Sequence, residues 1–296
     1  MKITFLGTSS MVPTKERNHT SIFIKYLKEG ILVDCGEGTQ RQMRHANIRP
    51  SMISRILLTH WHGDHVFGLP GLIQTLNNSE YEDTLYIYGP VGTKEKLKKM
   101  TEAFDFEIGF SHKIIEAEQE GLVLDKELVI KVYGLEHSVR SLGYFLKEKD
   151  RRRIKLDYIK KLGIPEGPLL GKLQENKKIR WKGKTIDPKD ATYIVEGKKL
   201  SIILDTLICS NCDKIAKDAD LLIAEAVYVS SLQEKAMEYM HLTAKQAALI
   251  ASRNNVNELI LTHFSQRYKS TEEICSEAKT YFPNTRCAYD FMNVEI

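Results

Sequence analysis

Three histidines and one aspartate occupy six consecutive positions within the stretch LTHWHGDH, residues 58–65. The chain has 296 residues and only nine histidines, so this local density is unusual. The run Ile56 to Leu58, at the start of this stretch, is apolar and is typical of a buried β-strand. A strand that runs directly into imidazoles and a carboxylate has left the hydrophobic core, so we expect a polar site where this strand ends.

The spacing of the cluster, H-x-H-x-D-H, predicts how its side chains divide. His60 and His62 stand at alternate positions, which point the same way in extended chain. Asp64 and His65 follow as the next helix begins, so they fall on the opposing side of the turn. Imidazole and carboxylate suit Zn²⁺, and ligand type alone also allows Mn²⁺ or Fe²⁺. The cluster therefore predicts two adjacent metal ions.

Two metal ions need more ligands than this loop supplies, and three other polar residues are candidates. Asp205 in IILDT and His263 in LILTH each end an apolar run, as His60 does, and His137 lies in LEHSVRSLGY. A carboxylate has two oxygens and can bridge two cations, so Asp205 is the natural bridge. A lone histidine after a strand is more often structural than a ligand, so the six-residue cluster carries the prediction.

The charge of the chain is concentrated in one segment. Residues 147–190 contain 15 Lys/Arg and 7 Asp/Glu, a balance of +8, although the whole chain has a net charge of only +4. Three of the eight prolines lie in this segment, and its apolar residues are sparse. We expect residues 148–190 to form a basic arm inserted into a single domain, 1–296, and to bind a polyanion such as nucleic acid. A solvated surface without a ligand is the alternative.

Composition favours a soluble globular protein in the cytoplasm. Apolar residues make up 42% of the chain and charged residues 28%, and no apolar run is long enough to span a membrane. The N-terminus, MKITFLGTSS, begins with a short alternating strand, unlike a secretory leader. The five cysteines are odd in number and scattered, which indicates reduced thiols. Cys209 and Cys212 form a single C-x-x-C, without the second pair that a zinc knuckle needs.

Hydrophobic periodicity predicts alternating strands and helices. The predicted strands are Lys2–Leu6, Ser21–Leu27, Ile31–Asp34, Ile56–Leu58, Leu85–Tyr88, hairpins over roughly 113–147, Leu200–Asp205, Leu221–Glu225, Glu258–His263 and Arg286–Asp290. The predicted helices are one from Gln40, His65–Leu76, Thr93–Phe104, Thr243–Arg253 and Thr271–Phe282. This order of elements indicates an α/β fold.

The H-x-H-x-D-H cluster after a strand resembles the metallo-β-lactamase superfamily, whose fold is a four-layer αββα sandwich. That fold hosts many kinds of hydrolase, so it does not settle the function. Further stretches resemble ribonuclease Z, the tRNA 3′-processing endonuclease, in order along essentially the whole chain. They are FLGTSSMVPTKERNHTS (5–21), LVDCGEGTQRQ (32–42), HSVRSLGY (137–144), HLTAKQAA (241–248), LTHFSQRY (261–268) and the terminal AYDFMNVEI.

The resemblance implies roles for individual residues. It implies one Zn²⁺ held by His60, His62 and His137, and a second held by Asp64, His65 and His263, with Asp205 as the bridge. Asp64 is also implied to accept a proton from the attacking water. His241, paired with Glu225, would protonate the departing oxygen or stabilise the charge that develops near it. From its chemistry, a carboxylate near ligating histidines, we expect Asp34 to orient one of them, with a turn-forming aspartate before Gly36 as the alternative. The implied substrate contacts are Lys15, Arg17 and Asn18 in the PxKxRN-like loop, and Gly167 and Pro168 in the arm.

Two loops depart from the family pattern. The family's His-Glu-Ala-Thr loop reads Ala224-Glu225-Ala226-Val227, which keeps only the glutamate and the alanine after it. The His-Ser-Thr loop reads His241-Leu242-Thr243. The metal ligands are unaffected by these departures, so the doubt falls on proton handling near His241.

The resemblance implies an endoribonuclease that removes the 3′ trailer from precursor tRNA. The products would be a tRNA with a 3′-hydroxyl and a trailer with a 5′-phosphate, and the protein would be a homodimer. Two alternatives stay open: another hydrolase on the same fold, such as a small-molecule phosphodiesterase or a thioesterase, or a non-catalytic RNA-binding relative.

Overall fold

The computed structural model describes residues 1–118, 120–124 and 128–296; residue 119 and residues 125–127, inside the predicted hairpin region, lie outside it. The strands are β1 (Lys2–Gly7), β2 (Ser21–Tyr26), β3 (Glu29–Val33), β4 (Ile53–Leu57), β5 (Leu85–Pro90), β6 (His112–Ala117), β7 (Glu120–Leu124), β8 (Leu128–Leu135), β9 (Ser141–Glu148), β10 (Arg151–Ile154), β11 (Ile179–Trp181), β12 (Lys184–Ile186), β13 (Thr192–Val195), β14 (Lys199–Ile203), β15 (Leu221–Glu225), β16 (Glu258–Thr262), β17 (Thr285–Cys287) and β18 (Asn293–Glu295). The helices are α1 (Thr39–His45), α2 (Gly63–Val66), α3 (Leu69–Asn78), α4 (Thr93–Ala103), α5 (Leu156–Leu162), α6 (Pro168–Gln174), α7 (Pro188–Ala191), α8 (Ser210–Ala216), α9 (Gln233–Glu238), α10 (Ala244–Arg253) and α11 (Glu272–Tyr281).

The chain divides into two compact units. The first, which we name the main unit, comprises residues 1–123, 130–146 and 199–296. The second, which we name the arm, comprises residues 124–129 and 147–198. It includes residues 148–190, the basic arm that the sequence predicts. In the described ranges, no helix has both the length and the apolar character needed to cross a membrane.

The main unit contains two mixed sheets. The first has the strand order β18-β1-β2-β3-β4-β5-β6, with antiparallel pairing as far as β3 and parallel pairing from β3 to β6. One of its faces packs against α1, α3 and α4, through buried residues such as Met43, Leu72 and Leu97. The opposite face is also buried, as shown by Ile3 and Phe5, which have no exposed surface.

The second sheet has the order β17-β16-β15-β14-β9-β8-β7, and β14 to β17 are parallel. Helices α8, α10 and α11 cover one face, with the small residues Ala247 and Ala251 of α10 in that core. On the other face Ile202 and Ile260 are fully buried. Apolar residues that are buried on both faces of both sheets fit two sheets stacked between two helical layers.

The two sheets are joined by direct bonds near the end of β4. The hydroxyl of Tyr144, on β9 of the second sheet, donates to the carbonyl of Leu58 at 2.6 Å. The amide of Leu142 donates to the carbonyl of Thr59 at 2.9 Å. These bonds hold the histidine-rich loop against both sheets.

The arm has a small core of its own, which the sparse apolar composition did not predict. Its members are Ile159, Ile164, Leu173, Ile179, Ile186 and Ala191. The arm has two antiparallel strand pairs, β10 with β13 and the hairpin β11 with β12, together with three short helices. The cations of the arm stay at its surface, as illustrated by Lys160, Lys161 and Lys172, which are exposed.

Most predicted elements occur within a few residues of their expected bounds, and three predictions were wrong in detail. The predicted helix His65–Leu76 is two helices, α2 and α3. It breaks at Gly68, whose amide donates to the Cys35 carbonyl at 2.9 Å and where a Cβ would lie 2.1 Å from the Gly36 carbonyl oxygen. Proline at the start of α3 then begins a new helix.

The C-terminal region and the predicted hairpins also differ from expectation. The predicted strand Arg286–Asp290 ends at Cys287, because Asp290 turns to accept bonds from the Thr8 hydroxyl and the Asn18 amide at 2.8 Å each. The unpredicted β18 pairs with β1 at the edge of the first sheet. Within 113–147, β6 joins the first sheet and β7 to β9 join the second.

Candidate metal centre

Several polar side chains lie where strands of the main unit end. His60 follows β4 and Asp34 follows β3, and these strands are parallel neighbours in the first sheet. Asp205 follows β14, Glu225 ends β15 and His263 follows β16, and these three are parallel neighbours in the second sheet. Parallel strands bring their carboxyl ends to one edge, which is where α/β proteins bind ligands.

Three of these residues have a backbone conformation that side chains rarely adopt. Asp34, Asp205 and His263 have positive φ angles of 56°, 37° and 60°. Non-glycine residues in the left-handed region are uncommon and concentrate at functional sites, where the surrounding structure holds them.

A first group of ligand atoms comes from His60, His62, His137 and Asp205. The Nδ1 atom of His62 lies 3.0 Å from Nε2 of His60 and 3.2 Å from Nε2 of His137. The Oδ2 atom of Asp205 lies 3.7 Å from Nε2 of His60 and 3.8 Å from Nε2 of His137. All four ligand atoms lie within 4.8 Å of one another, which is compact enough for one ion.

A second group comes from Asp64, His65 and His263. The Nε2 atoms of His65 and His263 are 3.1 Å apart, and Oδ2 of Asp64 lies 3.4 and 3.3 Å from them. The other carboxylate oxygen of Asp205, Oδ1, lies 3.3 Å from Nε2 of His65 and 3.4 Å from Nε2 of His263. One oxygen of Asp205 therefore faces each group.

The chemistry of the two groups fits divalent cations. Oδ1 of Asp64, Oδ1 of Asp205 and Nδ1 of His263 are buried and have no hydrogen-bond partner in the described part of the chain. Buried carboxylate oxygens without donors are costly, whereas coordination by a cation compensates them. Imidazole nitrogens with two carboxylates are ligands that zinc accepts. The site can therefore hold metal, with Asp205 shared between the groups.

Neighbouring polar groups orient the histidines. Asp34 accepts from Nδ1 of His65 at 2.7 Å and from the hydroxyl and amide of Thr59 at 2.8 and 2.7 Å. The Met240 carbonyl accepts from Nδ1 of His137 at 3.0 Å. A hydrogen bond at Nδ1 fixes the proton there and leaves the Nε2 lone pair of each ring for a metal. Asp34 is thus hydrogen-bonded to His65, and its role in orienting that ring stays a prediction.

The protonation of His60 and Asp64 suits metal binding, whereas His65 must release a proton to bind a cation. Burial by itself would lower the pKa of His65, but the charges of Asp205, Asp64 and Asp34 raise it well above its ordinary value. Burial and the charge of His65 hold the pKa of His60 well below its ordinary value, so His60 is neutral. Burial by itself would raise the pKa of Asp64, but the charge of His65 and bonds from His263 and His65 lower it strongly. Ionised Asp64 and neutral His60 are the forms that bind cations.

His241 lies beside the two groups and is held by Glu225. Its Nδ1 lies 3.0 Å from Oε2 of Glu225 and 3.8 Å from Oδ2 of Asp205. Glu225 is fully buried, and its other oxygen accepts from the amide of Thr206 at 2.7 Å. Burial would lower the pKa of His241, but the charge and hydrogen bond of Glu225, with Asp205, raise it to about 9. Nε2 of His241 can therefore donate a proton.

The loops that depart from the family pattern keep their structural connections. Thr243 caps α10: its hydroxyl accepts from the Gln246 amide at 3.2 Å, and the Gln246 side chain accepts from the Thr243 amide at 2.9 Å. His241 therefore precedes a firmly capped helix. Val227 is buried with Tyr228 and Ala236 in a small cluster.

The predicted substrate residues of the N-terminal loop have different environments. Lys15 is exposed. Arg17 is buried, and its Nη2 donates to the carbonyl of Tyr268 at 2.6 Å. Asn18 is half-buried, and its side-chain amide donates to the carbonyl of Glu37 at 2.7 Å. Lys15 is thus free to reach a ligand, whereas Arg17 and Asn18 also shape the loop.

The two predicted substrate residues of the arm begin a helix. Gly167 is exposed, has a φ of 143°, and a Cβ there would have no atom within 4 Å. Pro168 is exposed and is the first residue of α6. The pair forms an open turn on the surface of the arm.

Sequence reasoning missed three residues that support the site. Thr59 bonds Asp34, Met240 supplies a carbonyl to His137, and Thr206 supplies an amide to Glu225. Thr59 and Thr206 each adjoin a candidate ligand in sequence, and that position is the signal that could have identified them. The Met240 carbonyl has no signal in its side-chain type.

Known proteins resemble this chain over its full length. A ribonuclease Z of Methanothermobacter thermautotrophicus is 40% identical over 297 residues, covering 100% of this chain and 97% of that protein. The crystal structure of human tRNase Z, short form (ELAC1), has a TM-score of 0.75 and 27% identity, covering 100% of this chain and 99% of that one. The metallo-β-lactamase fold protein YhfI from Bacillus subtilis has a TM-score of 0.73 and 18% identity, covering 100% and 98%. Residues 1–148 match the family model described as Anti-Pycsar protein Apyc1.

The stacked sheets, the flanking helices and these neighbours define a metallo-β-lactamase fold, so the predicted fold class is confirmed. The site at its sheet edge can hold metal. The first half of the chain falls within the Anti-Pycsar protein Apyc1 sequence family, and over its whole length the chain belongs to the ribonuclease Z family.

Proposed function

We propose that the chain is a metal-dependent endoribonuclease that removes the 3′ trailer from precursor tRNA. The observation that carries this proposal is the convergence of six candidate ligands around a seventh, Asp205, in a chain that matches a ribonuclease Z relative from end to end. The products are a tRNA with a 3′-hydroxyl and a trailer with a 5′-phosphate.

The site takes two Zn²⁺ ions in this proposal. His60, His62 and His137 would hold one ion and Asp64, His65 and His263 would hold the other, and Asp205 has one oxygen facing each group. When bound, two such cations lower the pKa of a water molecule and offset the charge that develops on the phosphoryl oxygens. The support is the ligand chemistry and the buried carboxylate oxygens that have no hydrogen-bond partner among the residues that the structure describes.

Two protein groups handle protons on opposite sides of the reacting phosphorus. Oδ1 of Asp64 is buried without a hydrogen-bond partner in the described residues, so it can accept a proton from the attacking water. Glu225 fixes His241 through Nδ1, which leaves Nε2 to protonate the departing 3′-oxygen of the tRNA. The hydrogen bond between Glu225 and His241 supports this role. It is present although Ala224 and Val227 replace the histidine and the threonine of the family's loop.

The basic arm supplies affinity for the tRNA body. Residues 148–190 lie within the arm, and its exposed lysines include Lys160, Lys161 and Lys172. Structured RNA is recognised largely through its shape and backbone, and phosphate contacts by cations dominate such affinity. Gly167 and Pro168, at the open turn before α6, and Lys15 and Asn18, in the N-terminal loop, are the proposed substrate contacts, with Arg17 shaping that loop.

Two further properties follow from the family. A homodimer is proposed from the resemblance to ribonuclease Z, and light scattering of the purified protein at several concentrations tests it. A cytoplasmic location is proposed because the described cysteines are all free thiols. A tagged chain followed by cell fractionation tests the location.

A small-molecule phosphodiesterase is the strongest competing function. The family model ends at residue 148, before residues 149–198 of the arm and before Asp205, Glu225, His241 and His263, whereas the ribonuclease Z relative covers all of them. A compact small-molecule hydrolase has no need for the +8 segment. These differences favour RNA as the substrate.

The decisive experiment uses precursor tRNA labelled at its 5′ end. We expect one cut at the junction between tRNA and trailer, with a 3′-hydroxyl on the tRNA fragment. Mature tRNA and an unstructured RNA of equal length are the controls, and both should stay intact. Cleavage of the unstructured RNA at an equal rate, or no cleavage of the precursor by protein loaded with zinc, would contradict the proposal.

A further inference from the structure

Two thiols lie in contact outside the metal ligands. The Sγ atoms of Cys209 and Cys212 are 3.6 Å apart. Cys209 is half-buried and directly precedes α8, and Cys212 is fully buried within that helix. A disulfide needs the sulfurs at about 2.05 Å, so a small rotation of the side chains can close this gap. The C-x-x-C spacing is the one used by redox-active dithiols.

We propose that Cys209 and Cys212 are a reversible redox site that takes a peroxide as its oxidant. The Cys209 thiolate attacks one peroxide oxygen, so that a sulfur–oxygen bond forms, the oxygen–oxygen bond breaks and the other oxygen leaves as water after taking a proton. The Cys212 thiol then attacks the sulfenic sulfur, the disulfide forms, and the hydroxyl leaves as a second water. Two thiols lose two electrons, and hydrogen peroxide gains them.

The surroundings of the pair make Cys209 the attacking sulfur. A hydrogen bond from the Cys212 thiol, with others from the amides of Cys212 and Asn211, lowers the pKa of Cys209 to about 6. The same interaction, with burial, raises the pKa of Cys212. A thiolate is the nucleophile in thiol chemistry, so Cys209 reacts first and Cys212 resolves the intermediate.

A small oxidant can reach Cys209. A cavity of about 350 Å³ in the main unit is lined by Cys209, Ser210, Glu136 and Arg140, among others. Cys35 offers a contrast, because it is fully buried and burial raises its pKa to about 12. Burial and the neighbouring Cys275 likewise raise the pKa of Cys287. Access and thiolate character therefore coincide at Cys209.

The test is peptide mapping of the full chain after treatment with one equivalent of hydrogen peroxide. Trypsin releases both thiols in a single peptide, residues 200–214, because the nearest basic residues are Lys199 and Lys214. We expect this peptide to lose two hydrogens, to resist alkylation and to recover both thiols after reduction with dithiothreitol. Alkylation of both cysteines after treatment, or a disulfide found instead between Cys275 and Cys287, would overturn the proposal.

Single substitutions separate the roles of the two sulfurs. In Cys212→Ser, which keeps a hydroxyl donor beside Cys209, Cys209 should accumulate as a sulfenic acid that dimedone traps, whereas Cys209→Ser should leave Cys212 reduced. The control Cys275→Ser should form the 209–212 disulfide as the unaltered chain does. Alkylation of Cys209 at varied pH in the unaltered chain should have its midpoint near 6. A midpoint near the ordinary 9.0, or a Cys212 that is trapped in Cys209→Ser, would contradict the assignment.

Discussion

The metal centre and the arm use charge in opposite ways. In the metal centre His60 and His65 have no exposed surface, and Asp64 and Asp205 are 3% and 2% exposed. In the arm, Lys160 and Lys172 are exposed around a small apolar core. Burial removes water from charged groups, so the centre depends on partners such as cations and on exact placement at strand ends. The arm keeps its charges hydrated, and in the proposed function it binds RNA through their sum.

This contrast predicts that chemistry and RNA affinity can be lost independently. A change in the centre should lower the rate of cleavage with little effect on binding, because in the proposed function the centre contacts a single phosphodiester. A change in the arm should weaken binding with little effect on the hydrolysis of a small substrate. The four predictions below test this separation.

The largest effect is expected for Asp205→Ala. Both groups lose a shared ligand, and since metal catalysis supplies several kcal/mol, cleavage of precursor tRNA should fall by at least about 10³-fold. Affinity for the precursor, measured by filter binding, should change little. The control Asp187→Ala removes an aspartate from the arm, where it accepts from the Lys189 amide, and should keep normal cleavage. If Asp205→Ala cleaved precursor tRNA at a rate within tenfold of that of the unaltered chain, Asp205 would not be a shared metal ligand.

The next effect is expected for His241→Ala. Loss of proton donation to the departing oxygen should lower kcat by about 10²- to 10³-fold with little change in KM, since general acid catalysis contributes amounts of this order. His45→Ala, which removes an exposed histidine of α1, should have normal kcat. Equal losses in turnover and in tRNA binding would show that His241 holds the substrate instead.

A smaller effect is expected when the charge of the arm changes. Replacing Lys160, Lys161 and Lys172 with glutamate should raise KM for precursor tRNA about 10- to 100-fold. The slope of the logarithm of the binding constant against the logarithm of the salt concentration should also become less steep, by about 2 to 3. Hydrolysis of bis(p-nitrophenyl) phosphate should be unchanged. Deletion of residues 151–189 should weaken tRNA binding further and leave the hydrolysis of bis(p-nitrophenyl) phosphate unchanged.

The control for the arm places the same charge change on the main unit. Lys98, Lys214 and Lys279 are exposed there, and their replacement with glutamate should have less effect on KM. Equal effects of the two triple variants would mean that net charge alone, and no particular surface, governs binding. If the arm variants lost both precursor cleavage and hydrolysis of bis(p-nitrophenyl) phosphate, the arm would have a structural role.

The smallest effect is expected for Asp34→Asn. The substitution weakens the bond that orients His65, and such outer contacts typically change metal affinity by about 10- to 100-fold. Zinc titration against a chelator measures the change, and excess zinc should restore most of the cleavage rate. Thr59→Val, which removes the hydroxyl bonded to Asp34, should change zinc affinity in the same direction. Unchanged zinc affinity in both variants would mean that His65 is oriented without Asp34.

The sequence allowed the sheet edge and its ligands to be predicted because both depend on local patterns. Strands β4, β14 and β16 are apolar runs, and the residues His60, Asp205 and His263 follow them closely. The hydrophobic pattern marks the end of each strand, and a residue type that binds metals follows at the same place. Strand ends and candidate ligands could therefore be predicted together. The geometry adds that these ligands, with the others, fall into two groups that share Asp205.

Other features could not be predicted because they depend on contacts between distant segments. The break at Gly68 follows from close packing on Cys35 and Gly36, 32 or more residues away. The positive φ of Asp205 and His263 comes from long-range constraints, with no glycine to signal it. The core of the arm is built from apolar residues whose spacing is too irregular to match the period of a helix or of a strand.

The most direct test of the central claim is the metal content of active protein, measured by elemental mass spectrometry alongside precursor cleavage. The account predicts two divalent ions per chain in fully active material, a loss of cleavage after chelation, and recovery on return of zinc. Full cleavage by protein that contains no divalent metal, or full activity with a single ion per chain, would contradict it.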